Sequence, residues 1–148
     1  MFLPTNDNII TIFSDGYPKI VVNVLGEDVE KKGTSSALVR GVVKAFIDKG
    51  FKVGGFNAVL TSNVINGAGI SSSASFEVLI AEILNFLYNN SKVSMQDKAV
   101  VSQFAENVYF GKPCGLLDQT AIAFGGLNKL DFKKQGQIEV SKINNWKF

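Results

Sequence analysis

The sequence has 148 residues, of which 46% are hydrophobic and 19% charged, proportions typical of one compact globular domain. These values exclude a disordered or collagen-like chain. Fifteen Lys plus Arg against 13 Asp plus Glu leave a net charge of +2, so we expect neither nucleic acid nor a membrane as a partner. The absence of histidine excludes His-based catalytic triads and His-ligated zinc. Any acid–base chemistry must therefore use carboxylates, Lys or Tyr.

Targeting signals are not expected in this chain. The single cysteine, Cys114, cannot form an internal disulfide, which favours a cytoplasmic protein. Polar residues at positions 6–8 stand where a signal peptide has its apolar run. The most apolar stretch, residues 76–88, is interrupted by charged and amide side chains and is shorter than the ~20 residues that cross a bilayer. The sequence thus predicts no membrane span.

The first predicted elements, in chain order, are strands. Ile9–Phe13 and Lys19–Leu25 are β-branched runs separated by a Gly/Pro turn, which predicts a hairpin. Thr34 is predicted to cap a helix that Gly50 ends. Alternation of apolar and polar residues over Phe56–Val64 predicts a further strand.

Three more helices and a second hairpin complete the predicted order. Ser72–Tyr88 has a broad apolar face, and Ser94 resembles the cap of a third helix whose apolar stripe reaches Val108. A short helix over Leu116–Ala123 precedes two strands near residues 127–132 and 138–143. Strands at both ends with helices between them predict a single α+β domain, in which a mixed or antiparallel sheet packs against helices.

A glycine- and serine-rich loop separates the third strand from the Ser72 helix. Residues 66–75 contain two glycines and four serines. Glycine lets the backbone approach an anion, and the first N–H groups of a helix lack internal partners and carry positive partial charge. The loop matches neither the Walker A nor the dinucleotide-binding pattern. Phosphate binding and simple N-capping by one serine are both consistent with it.

A second candidate segment places two carboxylates around a Gly/Pro turn. Glu106 lies off the apolar stripe of its helix, so solvent exposure explains it, and Asp118 fits the first turn of a short helix. The functional alternative puts both near the serine loop, one holding Mg²⁺ and the other orienting or deprotonating a hydroxyl nucleophile. Cys114, with no histidine to activate it, is predicted to be a packed structural residue.

Together, the two segments resemble the signatures of the GHMP small-molecule kinases, and the galactokinase pattern fits best. Gly67–Ala74 matches the family's phosphate loop, approximately Pro-x-Gly-x-Gly-Leu-Ser-Ser-Ser-Ala, although Ile65 stands where many members have proline. Glu106–Gln119 matches Glu-Asn-x-Tyr-x-Gly-x-Pro-Cys-Gly-x-Met-Asp-Gln, with Leu117 in the methionine position. The resemblance covers essentially the whole chain. It implies the ribosomal protein S5 domain 2-like N-terminal domain of the GHMP kinase fold.

The resemblance also implies a reaction and its residues. It implies ATP-dependent phosphorylation of galactose to galactose 1-phosphate, with Mg²⁺ held by Ser73 and Glu106. Asp118 would be the catalytic, sugar-binding group at the anomeric hydroxyl. The ATP phosphates would be bound by Gly67, Ala68, Gly69, Ile70, Ser71, Ser72 and Ser73. Phosphoryl transfer needs mainly positioning and charge neutralisation, so the lack of histidine is no obstacle.

The same resemblance predicts that residues 1–148 form a partial N-terminal domain. Galactokinases carry an upstream segment of the form Gly-Arg-x-Asn-Leu-Ile-Gly-Glu-His-x-Asp-Tyr and a second half of the fold, and neither is found in this sequence. We therefore expect a fragment with an incomplete active site. A non-catalytic nucleotide- or sugar-sensing module is the alternative, and a remnant that binds nothing is a third. Unpaired sheet edges would allow the fragment to self-associate.

Overall fold

The secondary structure of the computed structural model is described for residues 1–63, 71–134 and 137–144. The strands are β1 (Phe2–Pro4), β2 (Ile9–Ser14), β3 (Ile20–Asn23), β4 (Phe56–Leu60), β5 (Asn128–Lys134) and β6 (Gln137–Lys142). The helices are α1 (Ser35–Asp48), α2 (Ser72–Tyr88), α3 (Met95–Phe104) and α4 (Leu117–Phe124), and a π-helical segment, Ala105–Phe110, continues α3. The predicted α+β class is confirmed.

A mixed four-stranded sheet forms one layer, in the order β1-β4-β2-β3. β2 pairs antiparallel with β3, which confirms the predicted hairpin, and parallel with β4. A parallel neighbour requires a crossover connection, and α1 lies in it. β1 was not predicted because a strand of three residues is too short to show a period. The strand predicted over Phe56–Val64 ends at Leu60, and Val64 lies outside the described residues.

The hydrophobic core lies between this sheet and the helices. The register sets Ile10 opposite Phe56 and Ile12 opposite Ala58, and all four side chains are buried. α1 adds Val39, Val42 and Phe46, and α2 adds Ile80, Ile83 and Leu84. Each large apolar side chain buried in this way contributes roughly 1.5–3 kcal/mol. The core therefore fixes the position of α2, which begins at Ser72.

The predicted helix ends are observed in the structure. The Thr34 hydroxyl accepts a hydrogen bond from the Ala37 N–H at 3.2 Å, and the Ser94 hydroxyl accepts one from the Asp97 N–H at 3.0 Å. At the end of α1, Gly50 has φ +77°, which a residue without Cβ adopts at no steric cost. Its N–H donates to the Ile47 carbonyl, and the Phe51 N–H donates to the Phe46 carbonyl. These bonds form a Schellman motif, which ends the helix.

The helix that is predicted to run to Val108 changes from an α-helix to a π-helix at Ala105. The Gly111 N–H donates to the carbonyl of Glu106, five residues earlier, as in a π-helix. This wider turn shifts the side-chain phase from that of an α-helix. Val108, predicted to be in the apolar stripe, is 47% exposed, whereas Glu106 is only 3% exposed. The expectation that Glu106 faces solvent is therefore wrong.

Buried Arg40 connects α1 to the segment before it. Its guanidinium donates to both carboxylate oxygens of Glu30, at 3.0 Å each, and lies 3.6 Å from a carboxylate oxygen of Asp28. The Tyr109 hydroxyl of the π-helical segment donates to Asp28 at 2.7 Å. A paired guanidinium is the form in which a buried charge is tolerated. This network fixes the π-helical segment to α1 and to the segment before it.

A separate hairpin, β5–β6, follows α4 and confirms the second predicted hairpin. Its pairing shifts register between Asp131 and Lys134. Within the described parts of the chain, no helix is long and apolar enough to cross a membrane.

Candidate functional site

The site begins at the first turn of α2. Ser71 precedes the helix with φ +57°, in the left-handed region, and its side chain makes no capping bond. Its hydroxyl instead donates to the Asp118 carboxylate at 2.5 Å. Ser71 is therefore not the serine that caps the helix with its side chain, as the N-capping alternative requires of one serine. Ser72 is the first residue of α2, and Gly67, Ala68, Gly69 and Ile70 lie outside the described residues.

Ser73, two residues further along, contacts the second predicted carboxylate. Its hydroxyl donates to Glu106 Oε1 at 2.9 Å. Glu106 is buried because the π-helical segment turns it inward towards α2. Two serine–carboxylate pairs therefore converge on one helix terminus from residues distant in sequence. The sequence predicted Ser71, Ser73, Glu106 and Asp118, but spacing alone could not show that they meet.

The two carboxylates differ in their surroundings. Asp118 lies exposed in the first turn of α4, where a ligand can reach it. Glu106 is buried, and its Oε1 lies 3.6 Å from the ammonium of exposed Lys112. One carboxylate is thus open to a substrate, whereas the other presents a single oxygen to a cationic group.

The sequence did not single out two further polar residues of this site. Glu77 on α2 and Gln119 on α4 are both fully buried. The Gln119 amide nitrogen donates to Glu106 at 2.7 Å and lies 3.4 Å from the Glu77 carboxyl. Burial, and next the charge of Glu106, raise the pKa of Glu77 to about 8. A carboxylate within the most apolar stretch of the chain was the signal that could have revealed Glu77.

Cys114 lies in the turn between the π-helical segment and α4. Burial, followed by the hydrogen bond to Glu106, raises the pKa of its thiol to about 11, which keeps it protonated at neutral pH. Its backbone N–H donates to the Asn107 side chain at 2.7 Å, and its carbonyl accepts from Gln103 at 3.0 Å. These bonds agree with the predicted structural role and hold the turn between Glu106 and Asp118.

The donors present fit a hard divalent cation. The Ser73 hydroxyl and the Glu106 carboxylate are both oxygen ligands, which Mg²⁺ prefers. The described residues contain no group of three or more His, Cys, Asp or Glu side chains that could hold a metal. A pair of ligands is nonetheless the usual protein share for Mg²⁺ that also binds phosphates and water. Ser73 and Glu106 form one such pair among the described residues.

Comparison with protein families and curated sequences points to small-molecule kinases. Residues 37–126 match the family model described as the GHMP kinases N terminal domain. The chain is 41% identical over 120 residues to the galactokinase of Clostridium tetani, covering 80% of this chain and 31% of that protein. It is 42% identical over 106 residues to the galactokinase of Pyrococcus furiosus, covering 72% of this chain and 30% of that protein. The chain thus spans about a third of the length of these relatives.

Solved structures show the same architecture. The galactokinase of Lactococcus lactis, solved in complex with galactose, superposes with a TM-score of 0.80 at 26% identity, over 97% of this chain and 38% of that one. A D-glycero-D-manno-heptose 1-phosphate kinase from Bacteriodes thetaiotaomicron superposes with a TM-score of 0.74 at 22% identity, over 97% of this chain and 46% of that one. The second similarity concerns the fold alone.

Proposed function

Because this chain belongs to the GHMP kinase N-terminal domain family, we propose that it is the ATP-binding part of a galactokinase, which phosphorylates galactose at its anomeric hydroxyl. The observation that carries this proposal is the convergence of two serine–carboxylate pairs, Ser71–Asp118 and Ser73–Glu106, on the first turn of α2. The galactokinase relatives support the choice of sugar.

The first turn of α2 is the proposed phosphate site. α2 is 17 residues long, so its N-terminus carries about half a positive charge, and its first N–H groups have no partner inside the helix. Anionic phosphate oxygens are stabilised there. Because the Ser71 hydroxyl donates to Asp118 and makes no capping bond, it does not compete with a ligand for these N–H groups. The Gly67–Ser73 loop remains the predicted phosphate-binding loop.

Asp118 is the proposed base or orienting group. Its exposed carboxylate would accept a hydrogen bond from the anomeric hydroxyl and take its proton as the sugar oxygen bonds to the γ-phosphorus of ATP. The bond from that phosphorus to the β–γ bridging oxygen breaks, and its electron pair leaves with ADP. The bond from Ser71 would keep the carboxylate oriented before substrate binds.

Ser73 and Glu106 are the proposed Mg²⁺ ligands. Bound Mg²⁺ would neutralise charge on the transferring phosphoryl group. The protein's contribution is to hold two oxygen atoms 2.9 Å apart beside the proposed phosphate site. Lys112, 3.6 Å from the same Glu106 oxygen, adds positive charge where phosphates would lie.

The proposal is tested by titrating the chain with Mg-ATP and by measuring ADP release with and without galactose. We expect Mg-ATP binding that Ser73→Ala weakens, because this variant removes one ligand and one donor. When the galactokinase segments that this chain lacks are restored on both sides, galactose-dependent release should fall on the order of 10²-fold or more in Asp118→Asn. Asp15→Asn, which changes an exposed carboxylate in the β2–β3 turn, is the matched control and should change neither quantity.

The outcomes separate the proposal from its alternatives. Undiminished turnover in Asp118→Asn would refute the role of Asp118. Binding of Mg-ATP or galactose without ADP release, even when the chain is extended on both sides by the missing galactokinase segments, would favour the sensing module. A chain that binds neither ligand would refute the proposed function.

A further inference from the structure

The two oxygens of the Glu106 carboxylate have separate partners. Oε1 accepts from the Ser73 hydroxyl at 2.9 Å and lies 3.6 Å from the Lys112 ammonium. Oε2 accepts from the Gln119 amide at 2.7 Å and from the Cys114 thiol at 3.4 Å. The Oε1 side is thus the one that meets the proposed metal and phosphate site. The Oε2 side faces the protein interior.

We propose that Gln119 is a positioning residue, whose amide fixes the rotation of the Glu106 carboxylate so that Oε1 stays directed towards Ser73. This inference rests on the proposed function, in which Ser73 and Glu106 hold Mg²⁺. Gln119 is completely buried, so water cannot replace its hydrogen bond. A hydrogen bond to a charged acceptor is also stronger and more directional than a neutral one.

The position of Gln119 on α4 adds to this argument. Asp118 and Gln119 are consecutive, and one is exposed whereas the other is buried. The first turn of α4 thereby places Asp118 against Ser71 and Gln119 against Glu106 at the same time. One short helix sets the geometry of both carboxylates.

An amide suits this position better than other polar groups because Glu77 lies on its far side. The Gln119 nitrogen carries two hydrogens and lies within 3.4 Å of Glu77 as well as 2.7 Å of Glu106. It can therefore donate to both carboxyl groups and separate them. A carboxylate in its place would repel Glu106.

A purely structural role makes a different prediction. The Gln119 carbonyl oxygen is buried and accepts no hydrogen bond from the described residues, so the side chain is not fully satisfied in its pocket. An apolar side chain of similar size would remove this unpaired atom. If Gln119 only fills its pocket, Gln119→Met should therefore leave cation binding unchanged. If Gln119 acts through Glu106, Gln119→Met should impair cation binding even though the fold is retained.

The experiment measures the affinity of the chain for Mn²⁺, as the probe cation, in the presence of ATP. We expect Gln119→Met to weaken Mn²⁺ binding about 10- to 100-fold, the usual cost of losing a partner of a metal ligand. ATP affinity without a cation should stay unchanged. Gln96→Met is the matched control, because it makes the same exchange at an exposed position on α3, and it should leave Mn²⁺ affinity unchanged.

A crystal structure of metal-free Gln119→Met supplies a second readout. We expect Glu106 to turn and its contact with Ser73 to be lost. Gln119→Leu is the second variant if Gln119→Met does not fold, with the same expected results.

The outcomes distinguish this inference from the proposed function. A wild-type chain that binds no Mn²⁺ with ATP overturns the metal role, and the crystal structure then decides the positioning role alone. Wild-type binding that Gln119→Met retains at full strength overturns the inference while the proposed function stands. A variant structure in which Glu106 keeps its contact with Ser73 also overturns it.

Discussion

At the scale of single residues, buried carboxyl groups set the electrostatics of the site. Glu77 and Glu106 are both nearly inaccessible to water, and burial, followed by the charge of Glu106, penalises the charged form of Glu77. With the pKa of Glu77 raised to about 8, its carboxyl is protonated at neutral pH. The interior therefore holds a neutral acid, an amide and one further carboxyl instead of two adjacent negative charges.

The titration of Glu77 predicts how stability depends on pH. In the unfolded chain Glu77 ionises near 4.5, and in the folded chain its pKa is about 8. Between these values the folded state holds one proton more, so the free energy of unfolding falls as pH rises, by about 1.4 kcal/mol per pH unit. Glu77→Gln, which imitates the neutral acid, should remove this contribution.

Urea denaturation of both proteins at several pH values between about 5 and 8 measures the effect. The difference in free energy of unfolding between Glu77→Gln and wild type should rise with pH over this window. Glu82→Gln, an exchange on the same helix at a partly exposed carboxylate, is the control for a general charge effect. A pH-independent difference for Glu77→Gln would show that the Glu77 carboxyl does not hold its proton in the folded state.

At the scale of elements, the close crossing of α1 and the π-helical segment places Glu106. A Cβ atom on Gly41 would lie 2.7 Å from both Cα and Cβ of Ala105, closer than real contacts allow. Gly41 therefore lets the backbone of α1 approach the residue next to Glu106. The sequence predicted α1 with its caps, but not that its one interior glycine marks a helix contact.

Gly41→Ala tests this crossing. In an exposed helix the exchange would stabilise by about 1 kcal/mol. Here the clash with Ala105 should instead lower the free energy of unfolding by about 1–3 kcal/mol, as overpacking does. Urea denaturation measures the change, with Gly115→Ala as control, because a Cβ at Gly115 would meet no atom of the described residues within 4 Å, its two chain neighbours aside. A Gly41→Ala variant as stable as wild type would mean that α1 and the π-helical segment can move apart without lowering the free energy of unfolding.

At the scale of the whole molecule, the two sheets differ in how deeply their side chains are buried. The inner strands β2 and β4 carry fully buried side chains. In β5 and β6 no described side chain is fully buried. The hairpin packs beside α3 and α4, outside the main core.

Hydrogen exchange should reveal this difference. Amides paired between β5 and β6 should exchange at least about tenfold faster than those paired between β2 and β3. The reason is that opening the β5–β6 hairpin exposes little apolar surface. The β2–β3 hairpin is the internal control, since it is also antiparallel but belongs to the core sheet. Equal protection of both hairpins would indicate that the molecule opens only as one unit.

The sequence by itself determined the class of fold, the order of the main elements, the helix caps at Thr34 and Ser94, and the candidate residues Ser71, Ser73, Glu106 and Asp118. Caps and periodicity act over a few residues, so neighbouring positions reveal them. Only the tertiary structure decided that Glu106 is buried, that Glu77 and Gln119 accompany it, and that both carboxylates meet the start of α2. These contacts join residues 13 to 47 positions apart and depend on the π-helical phase change and the packing of α1, which no local pattern encodes.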